Sequence, residues 1–210
     1  MDSKQQIKAM EELLEDRTPD LMDATGHYSV LVPLVEREGE LCLLYEVRAK
    51  KMRRQPGEVC FPGGRMEPGE SPEQCALRET REELGIPPEQ VRILGELDFI
   101  ANRANYIMHS VLGVVEEQAL GALTLNPDEV DEVFFVPLRH LLHTEPLTYD
   151  YGLIPDIGED FPYELIGIPR EYRFQAGRER GPIYPWEGHA VWGLTGRITQ
   201  HLIRLIRGGK

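Results

Sequence analysis

The chain's densest chemistry lies between Gly64 and Ile86, in the stretch GRMEPGESPEQCALRETREELGI. If Pro72 to Leu84 form a helix, Glu79, Glu82 and Glu83 fall within a sector of about 100° on its surface. Three carboxylates on one face repel one another, and like charges one turn apart normally destabilise a helix. Such a cluster has to be offset by cations. Arg78, one turn before Glu82, offsets part of it. A hard divalent cation, Mg2+ or Mn2+, would do so more fully, because carboxylate oxygen suits both ions. Glu70, just ahead of the helix, can approach the same place. A solvated helix face would carry the same residue types, so the carboxylates alone do not decide.

The elements that must position these groups are legible around them. Ser71 can cap a helix, Pro72 suits its first position and Gln74 completes a capping box. Gly85, followed by Pro87 and Pro88, stops it. The spacing therefore predicts a helix over 72–84. Upstream, YSVLVPLV (28–35) and ELCLLYEV (40–47) read as paired strands across a glycine-bearing turn. CFPGGRMEPGE (60–70) reads as loop. Strands are expected at 91–100, 106–115 and 132–138. The segment from 143 to 188 is rich in Pro, Gly, Asp and Tyr, with strand-like pieces such as GIPREYRF. From about Gly188 onward, Val191, Leu194, Ile198, Leu202 and Leu205 mark an amphipathic terminal helix that ends before Gly208. Ile7, Met10 and Leu14 mark a short helix ahead of Pro19. Strands and helices at mixed intervals suggest a mixed α/β sandwich.

Composition narrows the class. With 41% hydrophobic and 28% charged residues in 210, the chain is an ordinary globular one, large enough for one domain. A net charge of −13 argues against general binding to nucleic acid or to an anionic membrane. No apolar run approaches the ~18 residues of a spanning helix. The N-terminus, MDSKQQIKAMEELLED, lacks the apolar core of a secretory signal, so a cytoplasmic location is expected. Cys42, Cys60 and Cys75 form no CxxC pair and read as small buried hydrophobes.

Gly64, Glu70, Arg78, Glu79, Glu82, Glu83, Gly85 and Ile86 match every fixed position of G-x5-E-x7-R-E-U-x-E-E-x-G-U, the Nudix box. Thr80 alone departs, standing where the family usually has a bulky aliphatic residue. By this resemblance the chain is identified as a member of the Nudix hydrolases. The resemblance implies an α/β/α sandwich with a mixed sheet over residues 26–210, residues 1–25 being a helical appendage. It further implies metal-dependent hydrolysis of a nucleoside diphosphate linked to another group. Glu79 and Glu83 would be metal ligands, with Glu82 a further ligand or the water-activating base. Glu70 would stand near the same metal, Arg78 would orient the carboxylates, and a backbone carbonyl near Gly63–Gly64 would complete the coordination. Family members are commonly dimers, so a homodimer is the assembly implied.

A second pattern lies upstream. Arg48, Lys50, Lys51, Arg53 and Arg54 form the chain's main positive run, a funnel for a substrate bearing several phosphates. Arg48-Ala49, Arg53, Gly57 and Phe61-Pro62-Gly63-Gly64 fit the motif LLTxR(S/A)-x3-R-x3-G-x3-FPGG of Nudix coenzyme A pyrophosphatases. Before Arg48 the fit is imperfect, with Tyr45 for the second Leu and Glu46 for Thr. The segment Tyr184 to Thr195, YPWEGHAVWGLT, resembles that sub-family's closing stretch. The resemblance implies cleavage of coenzyme A to adenosine 3′,5′-bisphosphate and 4′-phosphopantetheine, with Arg48, Arg53, Arg54, Gly63 and Gly64 contacting substrate.

Rival readings stand beside it. The proline about 16 residues past the box in ADP-ribose pyrophosphatases is absent here, as is the SQPWPFPxS-type array of NADH pyrophosphatases. Tyr106 lies not far from the tyrosine position of diadenosine polyphosphate hydrolases. A coenzyme A-binding sensor without turnover would have no need to maintain a repulsive carboxylate cluster. His189 has a catalytic and a structural reading, and Trp186, Trp192, Tyr172 and Arg173 have structural and ligand-facing ones. One acid among Asp128, Glu129, Asp131 and Glu132 is a candidate distal ligand or base.

Overall fold

The computed structural model describes residues 2–209. A helix, α1 (Ser3–Glu15), comes first, with a capping box between Asp2 and Gln5 and none of its residues buried. Strands β1 (Gly26–Arg37) and β2 (Glu40–Arg48) pair antiparallel near their connection. Two short strands follow, β3 (Val59–Cys60) on β2 and β4 (Gly63–Arg65) on β1. Helix α2 (Pro72–Leu84) comes next. Strands β5 (Val91–Glu96) and β6 (Ile100–Asn102) both pair with β7 (Tyr106–Val115), which runs parallel to β1. A short helix, α3 (Glu117–Leu120), leads to β8 (Val130–Pro137) on the outer side of β2, then α4 (Leu138–His143). The last third holds β9 (Leu147–Leu153), α5 (Tyr163–Ile166), β10 (Gly177–Trp186), β11 (His189–Val191) and α6 (Gly193–Ile206). In this part β10 lies between β9 and β11 in a second, antiparallel sheet.

The mixed main sheet has apolar residues on both faces because both are covered. Along β1, Leu31 and Val35 pack with Ala76 and Leu84 of α2. Val30, Val32 and Leu34 pack with Ile198, Leu202 and Ile203 of α6 on the other side. Each such aliphatic side chain contributes about 1.5–3 kcal/mol on burial. Tyr45 of β2 ties the α6 layer to the sheet. It is fully buried, stacks between Phe61 and Phe134 at centroid distances of 4.8 and 5.4 Å, and shares a 2.9 Å hydrogen bond with Thr199. The result is an α/β/α sandwich.

Helix α2 occupies the expected residues. The Ser71 hydroxyl accepts from the Gln74 amide, Gln74 returns the bond to the Ser71 amide, and Gly85 closes the helix in the left-handed region at φ 74°. Thr80 is fully buried with its hydroxyl bonded to the Ala76 carbonyl at 2.7 Å, so the departure from an aliphatic residue leaves no unsatisfied group.

Four expectations need correction. The stretch 60–70 is not wholly loop, because Gly63 and Gly64 pair with Val30 and Ser29. A Cβ on Gly63 would lie 2.3 Å from the Ser29 carbonyl oxygen, so only glycine lets β4 approach β1 this closely. The strand expected at 91–100 is two strands, separated at 97–99. GIPREYRF forms no strand, and the segment around it carries the β9–β10 pairing instead. The terminal helix begins at Gly193, after a short strand at His189–Val191.

Candidate functional site

The site is built where α2 crosses β4. Glu79 and Glu83, one turn apart, occupy the α2 face turned toward Gly63–Gly64. The Gly63 amide donates to Glu83 Oε2 at 2.8 Å. A Cβ on Gly64 would stand 2.3 Å from Glu79 Oε1, so the bare glycine backbone is what admits that carboxylate. The Gly64 carbonyl, an expected metal donor, receives the Cys75 thiol at 3.6 Å.

Arg78 is the organiser. Its Nε and Nη2 grip Glu70 in a fork at 2.9 and 3.0 Å, Nη1 holds Glu79 at 2.7 Å, and Nη2 also reaches the Arg65 carbonyl at 3.1 Å. Glu82 is held only loosely, at 3.4 Å from Nη1, and is more exposed than Glu70, Glu79 or Glu83. Glu70 therefore binds the arginine, and the fork holds its carboxyl below the usual range.

Burial shapes the charges. Desolvation pushes the Glu83 carboxyl upward, and the neighbouring Glu46 charge pushes it further. Burial likewise raises Glu79, with the Arg78 bond opposing it. Arg78 itself is raised in pKa by Glu70 before Glu79.

Glu46 was legible only as a departure from the Thr of the upstream motif. It faces the α2 side of β2, following Cys42 and Leu44 in the strand's period of two. Burial raises its carboxyl, and Glu129 and Glu79 act on it from nearby. The 128–132 acids divide by direction. Asp128 and Asp131 turn outward to Lys51 and Lys50. Glu129 is half-buried, held by Asn126 Nδ2 at 3.0 Å, and its charge acts on Glu46, Glu79 and Glu83. Glu132 lies 3.9 Å from His189.

The basic run is accordingly split. Lys50 and Lys51 are committed to aspartates, whereas Arg53 and Arg54 are exposed. Arg48 ends β2 close enough to Glu46 to act on its charge, and its Nε is sealed from solvent without a partner. His189 stacks on Phe134 at 4.1 Å and 6°, which gives it a packing role, and Trp186 packs against His140. Trp192, Tyr172 and Arg173 are exposed, and Tyr106 tilts against Tyr28 at 5.0 Å.

Among the described residues, no three His, Cys, Asp or Glu side chains already converge in metal-holding geometry. The donor chemistry fits a hard divalent cation all the same. The acceptors gathered there are carboxylate and carbonyl oxygens, and one buried carboxylate oxygen, Glu46 Oε2, has no partner at all. Carboxylates sealed this close to one another need a cation to be held charged. No described helix is long and apolar enough to cross a membrane.

The NUDIX domain matches residues 25–156. Nudix hydrolase 3 of Caenorhabditis elegans is 39% identical over 98% of this chain and 85% of its own length. A peroxisomal coenzyme A diphosphatase of Mus musculus is 40% identical over 66% of this chain, which spans 57% of that protein. A mitochondrial coenzyme A diphosphatase, also of Mus musculus, is 34% identical over 94% of this chain and 86% of its length.

Proposed function

The chain belongs to the NUDIX domain family, and from that premise we propose that it hydrolyses the pyrophosphate bond of coenzyme A or a derivative, using Mg2+ or Mn2+. The single observation that carries the hydrolytic reading is the placement of Glu79 and Glu83 against the bare Gly63–Gly64 backbone, with Arg78 fixing one of them. Glu79, Glu83 and the Gly64 carbonyl would hold the cation. A bound divalent ion neutralises the diphosphate and favours attack by water. The chain's own part is to present rigid carboxylates, and a helix capped at both ends provides that rigidity. Glu82, exposed and loosely held, is free to take a proton from the attacking water. Arg48, which ends β2 beside Glu46, would add positive charge toward a substrate phosphate.

Coenzyme A as substrate is supported by the upstream motif and by the names of the two mouse relatives. The exposed Arg53 and Arg54 suit the ribose 3′-phosphate, which ADP-ribose, NADH and diadenosine tetraphosphate lack. The test is a product assay with coenzyme A, ADP-ribose, NADH and diadenosine tetraphosphate side by side, with Glu83→Gln as control. Adenosine 3′,5′-bisphosphate should be the dominant product and should vanish in the variant. Faster cleavage of another dinucleotide would refute the coenzyme A assignment and leave the hydrolase reading standing. Arg53→Ala should raise KM for coenzyme A several-fold more than for 3′-dephospho-coenzyme A; equal increases would refute the 3′-phosphate contact.

A further inference from the structure

Glu46 is the most deeply buried acid in the protein's described residues, 1% exposed, and stands where the upstream motif carries Thr. Its Oε1 receives the Cys60 thiol at 3.1 Å, a weak donor. Its Oε2 is sealed from solvent with no hydrogen-bond partner. Neither protonation state of the side chain repairs this. An ionised oxygen there lacks a donor, and a protonated one lacks an acceptor. Leaving a buried carboxylate unpaired costs several kcal/mol.

The surroundings do not supply the missing partner. Arg48 is the positive group that acts on Glu46, yet its own sealed Nε is also unpartnered, so the two do not bond through it. The other charges acting here, on Glu79, Glu83 and Glu129, are negative. A fourth acid in this position adds only repulsion unless a cation lies among them. Its neighbour Glu83 is 4% exposed and keeps only the Gly63 amide as a partner, on Oε2.

We infer that Glu46 is a metal ligand of this chain, its Oε2 forming with Glu83 a divalent-cation position at the buried end of the carboxylate row. The position adds a strand residue to a site otherwise built from the helix and the glycine turn. It rests on the reading of the box carboxylates as the metal-binding residues.

The test is Mn2+ binding by the full chain, followed by the electron paramagnetic resonance signal of free Mn2+, for the wild type, Glu46→Gln and Glu83→Gln. Glu46→Gln should bind one Mn2+ fewer or bind it about 10-fold more weakly or worse. Urea unfolding in EDTA should show it at least as stable as the wild type, because the unpaired carboxylate is gone. Glu46→Thr, carrying the motif's residue, should show the same loss of Mn2+ and serves if the glutamine variant does not fold. Wild-type stoichiometry and affinity in the folded Glu46 variant, with Glu83→Gln impaired, would overturn the inference and leave Oε2 to water. Undiminished binding in Glu83→Gln would instead overturn the box reading and with it the Glu46–Glu83 position, whatever Glu46→Gln does.

Discussion

Replacing Arg78 by lysine keeps the charge and removes the fork, and its consequences follow from the contacts. The guanidinium makes a bidentate pair with Glu70, a 2.7 Å bond to Glu79 and a 3.1 Å bond to the Arg65 carbonyl. These partners lie in different directions, and one ammonium can serve one carboxylate well and not both. At least two charge-assisted bonds are lost, each contributing about 1.5–3 kcal/mol when sheltered. Arg78 is 25% exposed and Glu70 and Glu79 are 11% and 16% exposed, so solvent recovers only part of this. A net loss of about 2–4 kcal/mol follows. For a chain of this size that corresponds to a fall in Tm of about 5–12 °C. Glu79 would also lose its fixed orientation, and misplacement by about 1 Å costs on the order of 100-fold in rate. The substrate contacts proposed for Arg48 and Arg53 would be unaffected, so kcat should fall while KM stays near its wild-type value. Urea unfolding in EDTA and steady-state kinetics in Mg2+ read the two effects separately. Arg81→Lys, on the exposed side of the same helix turn, should change stability by less than about 0.5 kcal/mol and serves as control. An Arg78→Lys protein that unfolds and turns over like the wild type would refute Arg78 as the organiser of the site.

Further outcomes are expected. The Glu83 carboxyl is raised in the folded chain by burial and by Glu46, so without metal the folded state binds more protons than the unfolded state above about pH 4.5. The contribution of Glu83 to stability in EDTA should therefore be greatest below that pH and fall as pH rises, by up to about 1.4 kcal/mol per unit. Glu83→Gln should flatten this slope, and a slope parallel to the wild type would contradict the assignment. Gly63→Ala, which places a Cβ 2.3 Å from the Ser29 carbonyl oxygen and 2.6 Å from Val30 Cα, should cost about 1–3 kcal/mol and displace Glu83's amide donor. Calorimetry and turnover should both register it. Tyr45→Phe removes the hydroxyl shared with Thr199, whose own hydroxyl keeps its 2.9 Å bond to the Thr195 carbonyl. The loss should stay near 1 kcal/mol by urea unfolding, and a loss above about 3 kcal/mol would mean the bond anchors α6 more strongly than its geometry implies.

What the sequence disclosed follows how local each signal is. The bounds of α2 were legible because Ser71, Pro72, Gln74 and Gly85 act within one turn of themselves. The β9 strand was not, because six of its seven residues are exposed and the apolar–polar alternation that marks a half-buried strand is missing. The β4 strand looked like loop because glycine-rich composition signals turns, while here the missing Cβ permits contact with β1. Long-range pairing was invisible in the same way. Lys50 and Lys51 read as part of a phosphate funnel until the fold brought Asp131 and Asp128 onto them. Glu79, Glu82 and Glu83 shared a helix face by periodicity, but their unequal burial came from β4, which covers one edge of that face. Glu46 could be found only as a mismatch within an otherwise matching motif, since nothing in its neighbours along the strand announces a site.

The arrangement sets stability against readiness for a cation. Two apolar clusters hold the sheet between α2 and α6, and against that background Glu46, Glu79, Glu83 and Glu129 are gathered where solvent cannot screen them fully. Arg78 relieves Glu79 and Glu70, yet none of its hydrogen bonds reaches Glu83 or Glu46. The buried end of the row therefore stays under repulsion that only a bound proton or a cation can lift. Anything that binds the folded chain alone stabilises it, by about 2.7 kcal/mol at a hundred times its Kd. Mg2+ or Mn2+ should accordingly raise Tm in the wild type and much less in Glu83→Gln, whereas Na+ at equal ionic strength should do little. A Tm indifferent to divalent ions would mean that the buried carboxylates are held protonated for packing, and the site would then lack its chemistry.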